Sequence, residues 1–218
     1  MFTLNDDISS TISFNAPGLS FNVIKILTIL PIFVNPLATI CPKRYMSIFP
    51  PHRIGTTFLF GAGFLLNNEM DDFSSKPGEP NMFGLLGNEA NAIEPKKRPL
   101  SSMTPTIVLK DDKPFLILGT PGGSTIITTV LQNFLNVVIH GMDIQQAVSS
   151  PRVHSQWMPD MVFHEKGGLS KSLIRKLSER GHDVKLRGNI GEANGIMIND
   201  QGFWGGPDSR GENTAIGY

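Results

Sequence analysis

Hydrophobic and polar positions follow a regular period only in the later part of the chain. Residues 106–110 and 115–119 are two runs rich in β-branched and large apolar side chains, and the residues between them, 111–114, are polar. Two such runs separated by a polar turn predict a β-hairpin. In residues 124–140 the apolar side chains cover most of the helical circumference, so this segment predicts a helix that is buried on most sides.

Shorter elements follow this helix. Residues 143–149 predict a short helix closed by Pro151, and residues 169–180 predict an amphipathic surface helix ended by Gly181. Three further strands are predicted at residues 184–186, 195–198 and 203–205, with a turn between the last two. The pattern therefore predicts an α/β fold with antiparallel pairing, an α+β arrangement without internal repeats.

The first sixty residues have neither a helical nor a strand period. Six prolines interrupt their short apolar runs: Pro17, Pro31, Pro36, Pro42, Pro50 and Pro51. We therefore predict a poorly patterned segment at residues 1–60 and a folded domain at 61–218. The apolar stretch at 24–38 is shorter than the roughly 20 residues of a membrane span, and Asp6 and Asp7 stand where a signal peptide is basic.

Composition excludes several classes of partner. The chain has 19 Lys plus Arg and 19 Asp plus Glu, so it lacks the basic surface that binds nucleic acid. The single cysteine, Cys41, excludes an intrachain disulfide framework and a CxxC metal site. The five histidines have no zinc-type spacing, so a catalytic zinc has no support in the sequence.

An acidic segment lies at residues 67–73, where Glu69, Asp71 and Asp72 stand between Leu66 and Phe73. Carboxylates beside apolar residues are costly unless they meet a cation, which favours a pocket for an ammonium group or a metal. A solvated loop would show the same spacing. On spacing alone, both interpretations stay open.

Paired hydroxyls, Ser101 and Ser102, lie between Pro99 and Pro105 just before the hairpin. Hydroxyls on a conformationally restricted backbone are suited to donate hydrogen bonds to a carboxylate. An ordinary serine turn is the alternative, because Ser and Pro are common in loops.

A glycine pair, Gly122 and Gly123, separates the second strand of the hairpin from the long helix. Backbone N–H groups at a helix N-terminus suit an anion or a developing oxyanion. The segment lacks the Lys-Ser or Lys-Thr of a P-loop and the GxGxxG spacing of dinucleotide sites, and a plain turn is the remaining alternative. His154, beside Arg152 and near Trp157, is predicted to be a packed, hydrogen-bonded residue rather than a base.

Taken in order, these motifs resemble the γ-glutamyltransferase family. The matching stretches are LLNNEMDDF from Leu65, KRPLSSMTPTIVLKD from Lys97, GTPGGSTIITTVLQ from Gly119, PRVHSQWMPD from Pro151, and the terminal AIGY. The resemblance runs from about Gly61 to Tyr218. It implies an N-terminal-nucleophile hydrolase with a four-layer αββα sandwich, of which this chain would be an incomplete part, most of the small subunit of a self-cleaving precursor.

The resemblance also implies a reaction and roles for six residues. Family members transfer the γ-glutamyl group of glutathione or another γ-glutamyl compound to water or to an amino acid or peptide acceptor, without a cofactor, and bacterial members are exported to the periplasm or outside the cell. The α-amino group would bind Glu69 and Asp72, the α-carboxylate would bind Ser101 and Ser102, and Gly122 and Gly123 would form the oxyanion hole.

The chain departs from the family at the nucleophile. A catalytic threonine is expected a few dozen residues before the acidic segment, but Thr28, Thr56 and Thr57 lack its surroundings, so no nucleophile is assigned. A large subunit, with an arginine for the substrate carboxylate, is expected as a partner. A frameshift or truncation upstream of Gly61 would explain the departure, and the isolated chain is then expected to be inactive.

Three functions remain in competition. The chain is half of an enzyme that needs its missing parts, a non-catalytic fragment that binds glutamate or γ-glutamyl compounds, or a structural remnant without a ligand site. Restored activity with a large subunit would distinguish the first, and glutamate binding without turnover would distinguish the second.

Overall fold

The computed structural model describes residues 9–12, 24–28, 69–81, 83–101 and 103–217. The described residues divide into two compact units. The first contains residues 9–12, 24–28, 83–85 and 103–217, and the second contains residues 69–81 and 86–101. No helix within these described ranges is long and apolar enough to cross a membrane.

The first unit is built around a six-stranded sheet in which every neighbouring pair is antiparallel. Its strands are β1 Ser9–Ile12, β2 Ile24–Thr28, β3 Thr106–Lys110, β4 Lys113–Gly119, β8 Asn194–Asn199 and β9 Gly202–Pro207. Their spatial order is β1-β2-β3-β4-β8-β9. A second, three-stranded sheet has the order β5-β6-β7, from Val153–Gln156, Met161–His164 and Val184–Leu186.

The predicted hairpin is confirmed as β3 and β4, but its turn is shorter than expected. Asp111 and Asp112 both have positive φ, at 51° and 59°, which is the backbone of a tight two-residue hairpin turn. The second strand therefore begins at Lys113 and not at Phe115. The predicted strand pair near the C-terminus is confirmed as β8 and β9.

Four strands were not predicted from the pattern. β1 and β2 lie in the part of the chain without a clear period, yet β2 pairs with β3 along its whole length, from Ile24 opposite Lys110 to Thr28 opposite Thr106. β5 and β6 pair with each other around His154 and Phe163. Main-chain hydrogen bonding to a neighbouring strand specifies such segments, and this information is not local in sequence.

Three α-helices lie in the first unit: α1 Thr125–Val138, α2 Ile144–Ser149 and α3 Lys171–Glu179. Their predicted starts have clear causes. Asp143 caps α2 by accepting from Gln146 N, and Ser170 caps α3 by accepting from Leu173 N. Gly181, with φ of 90°, follows the end of α3, as predicted. No residue of α3 is buried, which confirms it as a surface helix.

The prediction that α1 is buried on most sides is confirmed, because eight of its 14 residues are buried and the exposed ones are Ile127 and Leu131. Ile127 and Leu131 are 54% and 51% exposed, whereas Thr129 and Asn133 on another face are 0% and 1% exposed. The helix packs against α2, β4 and β5, and the position of its exposed stripe depends on that packing and not on the number of apolar residues. The buried core formed by the helix and its neighbours is Val108, Leu116, Leu118, Val130, Phe134, Val137, Val138, Ile144, Ala147, Val148 and Ala193.

The described residues of the second unit form two short 3₁₀ helices and the chain between and after them. The first, Glu69–Asp72, is called here the acidic turn, and the second is Glu89–Asn91. Buried Phe73 and Ser74 follow the acidic turn, and Ser74 forms a parallel bridge with Ala92. The bridge brings the end of the acidic turn beside the second 3₁₀ helix.

Candidate functional site

The glycine pair, Gly122 and Gly123, lies in the turn just before the start of helix α1, which is called here the glycine turn. The carbonyl oxygen of Gly122 accepts from Thr125 N at 3.2 Å and from Thr125 Oγ1 at 2.9 Å, and that of Gly123 accepts from Ile126 N at 3.1 Å. These bonds occupy the N–H groups of Thr125 and Ile126, and the N–H groups of the turn itself lie at the positive end of the helix dipole. This geometry suits an anion or an oxyanion.

Both positions require glycine. Gly122 has φ of 139°, and a Cβ atom there would lie 2.5 Å from Thr125 Oγ1. Gly123 has φ of 58°, and a Cβ atom there would lie 2.5 Å from two ring carbons of Phe83. The Phe83 ring therefore lies directly against the glycine turn, and a side chain at either position would collide with its neighbours.

Replacing Gly123 by alanine is expected to destabilise the chain by about 1 to 2 kcal/mol, because alanine resists the positive φ and must displace the Phe83 ring. Urea unfolding followed by tryptophan fluorescence measures this loss. Gly119→Ala is the matched control, since nothing lies within 4 Å of a Cβ atom at Gly119. Its free energy of unfolding is expected to change by less than about 0.5 kcal/mol. Equal losses in the two variants would contradict the packing described here.

A second loop supports the glycine turn from within the first unit. Thr120 is buried, and its Oγ1 accepts from Glu192 N at 2.9 Å. Gly191 has φ of 67°, and a Cβ atom there would lie 2.8 Å from Thr129 Oγ1 and 2.9 Å from Thr120 Oγ1. The loop at residues 190–193 thus packs closely against the strand-to-helix connection, which limits movement of the glycine turn.

A buried charge cluster holds this supporting loop. Asp208 Oδ2 accepts from Arg152 Nη2 at 2.6 Å and from Ala193 N at 2.7 Å. Glu165 accepts from Ile190 N at 2.7 Å, and Arg152 Nη1 donates to Ile190 O at 2.7 Å. Arg210 pairs with both carboxylates. Because every charge is paired, a cluster that is costly in isolation can remain buried.

The pKa values in the cluster reflect this pairing. Burial alone would raise the pKa of the Glu165 carboxyl, but hydrogen bonds from Arg210 and from the Ile190 and Arg152 backbones hold it below its usual value. Burial would likewise raise the pKa of Asp208, and hydrogen bonds from Arg210 and Arg152 lower it instead. Both carboxyl groups are therefore ionised at neutral pH.

His154 is packed and hydrogen-bonded, as predicted. It is 2% exposed, its Nδ1 lies 2.8 Å from Thr128 Oγ1, and its Nε2 lies 2.7 Å from Gln156 Oε1. The amide nitrogen of Gln156 donates to Phe83 O at 3.0 Å, so this chain of contacts anchors the residue that lies against the glycine turn. Burial lowers the pKa of His154, which favours a neutral imidazole.

The acidic turn belongs to the second unit and includes Glu69 and Asp72 in one 3₁₀ helix. The carbonyl oxygen of Asp72 accepts from Asn91 Nδ2 at 2.7 Å. Ser101 lies in the same unit, next to Leu100, whose N–H donates to Asn91 Oδ1 at 2.9 Å. The structure thus connects the acidic turn to the segment that ends at Ser101.

Not all six predicted site residues fall within one described unit. Gly122 and Gly123 lie in the first unit, and Glu69, Asp72 and Ser101 lie in the second. Ser102 is outside the described residues, as are Thr56 and Thr57. The roles of the six residues therefore remain predictions.

Several supporting residues were missed by the sequence reasoning: Asn91, Glu165, Gly191, Asp208 and Arg210. None belongs to a local motif quoted above. Their contacts are buried ion pairs, hydrogen bonds and close packing with partners distant in the chain, which a sequence does not display. Across the described ranges, no group of three or more His, Cys, Asp or Glu side chains is arranged to hold a metal ion.

Comparisons with known proteins agree with this architecture. A family model described as gamma-glutamyltranspeptidase matches residues 53–218. The glutathione hydrolase proenzyme of Escherichia coli K12 is 46% identical over 187 residues, which cover 83% of this chain and 32% of that protein. A solved mutant of Helicobacter pylori γ-glutamyltranspeptidase is 52% identical with a TM-score of 0.67, covering 71% of this chain and 86% of that chain.

A second solved relative, γ-glutamyltranspeptidase from Pseudomonas nitroreducens complexed with L-DON, is 42% identical with a TM-score of 0.68, and the match covers 74% of this chain and 86% of that one. The fold is therefore the mixed α/β fold of the N-terminal-nucleophile hydrolases, as the sequence predicted. The chain belongs to the γ-glutamyltranspeptidase family. It spans about a third of the length of the curated E. coli relative.

Proposed function

We propose that this chain binds the γ-glutamyl group of glutathione or a related γ-glutamyl compound and supplies the oxyanion donors for its transfer. The observation that carries the proposal is the glycine turn, where Gly122 and Gly123 precede α1 in a conformation that excludes side chains. The acceptor of the γ-glutamyl group is water, an amino acid or a peptide. In this chemistry, loss of one oxyanion donor costs about 100- to 1000-fold in rate.

A large subunit of the same enzyme is the proposed partner. Support comes from helix α1, where Ile127 and Leu131, one turn apart, are both about half exposed. Adjacent exposed apolar side chains mark surfaces that another chain covers. A periplasmic or extracellular location is proposed on the family resemblance alone. The division of the chain into a segment at 1–60 and a domain at 61–218 remains a prediction.

Glutamate binding without turnover is the second candidate function. The observation in its favour is that no threonine before the acidic turn has the surroundings of the family nucleophile. The bound amino acid would contact the same residues, with Glu69 and Asp72 on its ammonium group and Ser101 and Ser102 on its carboxylate. A structural remnant would lack both activities.

Two measurements on the purified chain test ligand binding and turnover, and the turnover assay repeated with an added large subunit separates the enzyme half from the binding fragment. Calorimetry with glutamate detects binding, and release of the chromogenic group from a γ-glutamyl anilide detects turnover. We expect glutamate to bind and the anilide to remain intact, since no nucleophile is assigned. Turnover that a Gly122→Val and Gly123→Val double variant abolishes would instead identify a complete enzyme, and no binding at all would refute the proposed ligand class.

A further inference from the structure

Asn91 makes three hydrogen bonds to main-chain atoms outside its own 3₁₀ helix. Its side-chain Nδ2 donates to Asp72 O at 2.7 Å, and its side-chain Oδ1 accepts from Leu100 N at 2.9 Å. Its own carbonyl oxygen accepts from Ser74 N at 2.9 Å. Both ends of one amide group are therefore used, on two segments that lie 19 and 9 residues away in the chain.

The asparagine that caps the start of the same helix makes a different kind of contact. Asn88 caps the helix by accepting from Ala90 N, two residues away, at 3.0 Å. That contact is local and stabilises only the turn itself. Asn91, in contrast, joins the end of the acidic turn to the residue immediately before Ser101.

The two segments that Asn91 joins each bind one of the two charged groups of the proposed ligand. In the proposed function the acidic turn binds the α-ammonium group of the ligand, and the Ser101 segment binds its α-carboxylate. These two ligand groups are attached to the same carbon atom, so their separation is fixed. The protein groups that bind them must also be held at a fixed separation, because a displacement of about 1 Å weakens a preorganised site.

We infer that Asn91 is a positioning residue that sets the spacing between the ammonium-binding and the carboxylate-binding segments, and so selects ligands that carry both groups. The inference rests on the proposed function and deepens it. Asn91 does not contact the ligand. It reduces the cost of ordering the two segments, and only a ligand that engages both segments benefits from that reduction.

The test uses three ligands and the isotope-labelled full chain in NMR titrations. Glutamate carries both groups, 4-aminobutyrate lacks the α-carboxylate, and glutarate lacks the α-ammonium group. In Asn91→Ala we expect the glutamate dissociation constant to rise about tenfold, as expected for two lost hydrogen bonds. The dissociation constants of the two single-group ligands are expected to change by less than about threefold, since neither ligand depends on the spacing.

The two side-chain hydrogen bonds of Asn91, to Asp72 O and from Leu100 N, are called here the clamp. Amide hydrogen exchange in the same samples reports on the clamp directly. Exchange at Leu100 is expected to accelerate in Asn91→Ala and to stay slow in Asn91→Asp, because aspartate retains the acceptor for Leu100 N–H but loses the donor to Asp72 O. Asn91→Asp is therefore expected to lose the preference for glutamate without general loosening. Asn88→Ala is the control and is expected to keep both the preference and the slow exchange at Leu100.

Three outcomes would overturn the inference. If all three ligands weaken equally in Asn91→Ala, the residue maintains the fold and not the spacing. If neither ligand preference nor Leu100 exchange changes, the clamp has no role. If the unaltered chain binds no glutamate, the proposed function fails and the inference falls with it, whereas failure confined to the variants refutes the inference alone.

Discussion

Replacing Asp208 by asparagine is expected to destabilise the chain by about 3 to 5 kcal/mol, the usual cost of removing one partner from a buried ion pair. Asp208 is 1% exposed and accepts hydrogen bonds from Arg152, Arg210 and the Ala193 backbone. The amide that replaces the carboxylate carries no charge, so the Arg152 guanidinium would remain in the interior without its closest counter-charge. Urea unfolding gives the loss directly, as a lower midpoint at unchanged slope.

Asp183→Asn is the matched control for this variant. The Asp183 carboxylate lies 3.4 Å from Lys185 Nζ, and both side chains are about half exposed. An exposed pair of this kind contributes at most about 1 kcal/mol. Equal losses for Asp183→Asn and Asp208→Asn would show that the buried cluster is not a source of stability.

The pH dependence provides a second check on the cluster. The pKa of Asp208 is lower in the folded chain than the ordinary value of 3.8. A carboxyl group of this kind stabilises the fold above its unfolded-state pKa and loses that contribution as the pH falls through its folded-state pKa. The difference in stability between the unaltered chain and Asp208→Asn is therefore expected to be full at neutral pH and to shrink below about pH 4.

Replacing Asp72 by asparagine is expected to weaken glutamate binding by about 10- to 100-fold, because a charge-assisted contact with the ammonium group is lost. The hydrogen bond from Asn91 to the acidic turn is expected to persist, since it uses the Asp72 carbonyl oxygen, which the substitution retains. Calorimetry measures the change in affinity. Binding of glutarate, which has no ammonium group, is expected to remain within about threefold, because it does not use this contact.

Asp71→Asn is the control for this second variant. It removes one negative charge from the adjacent position, so it reproduces any long-range electrostatic effect on affinity. It leaves the proposed contact between the Asp72 carboxylate and the ammonium group unchanged. A loss of affinity in Asp71→Asn as large as that in Asp72→Asn would assign the effect to the net charge of the turn. An unaltered affinity in Asp72→Asn would remove Asp72 from the proposed site.

The charge cluster also matters for the glycine turn. Arg152 and Glu165 both bond the main chain of Ile190, and Gly191 packs against Thr120 and Thr129. Stability and site geometry are therefore linked in the first unit. A variant of the cluster that remains folded is expected to loosen the turn as well as to lower the midpoint of unfolding.

Elements with local signals were predictable from the sequence alone. The β3–β4 hairpin follows from two apolar runs around Asp111 and Asp112, and helices α2 and α3 begin at the capping residues Asp143 and Ser170. Each of these signals acts within a few residues, through turn geometry or a cap hydrogen bond. The family could also be recognised from the sequence alone, because the order of several long motifs is a property of the sequence itself.

Tertiary structure decided what depends on distant partners. Helix α1 buries the polar side chain of Asn133 and exposes the apolar side chain of Ile127, and the amount of apolar sequence could not predict either. The clamp formed by Asn91 and the pairing of Arg152 with Asp208 join segments that are far apart in the chain. Hydrogen bonds and ion pairs depend on distance in space, whereas local sequence patterns record only distance along the chain.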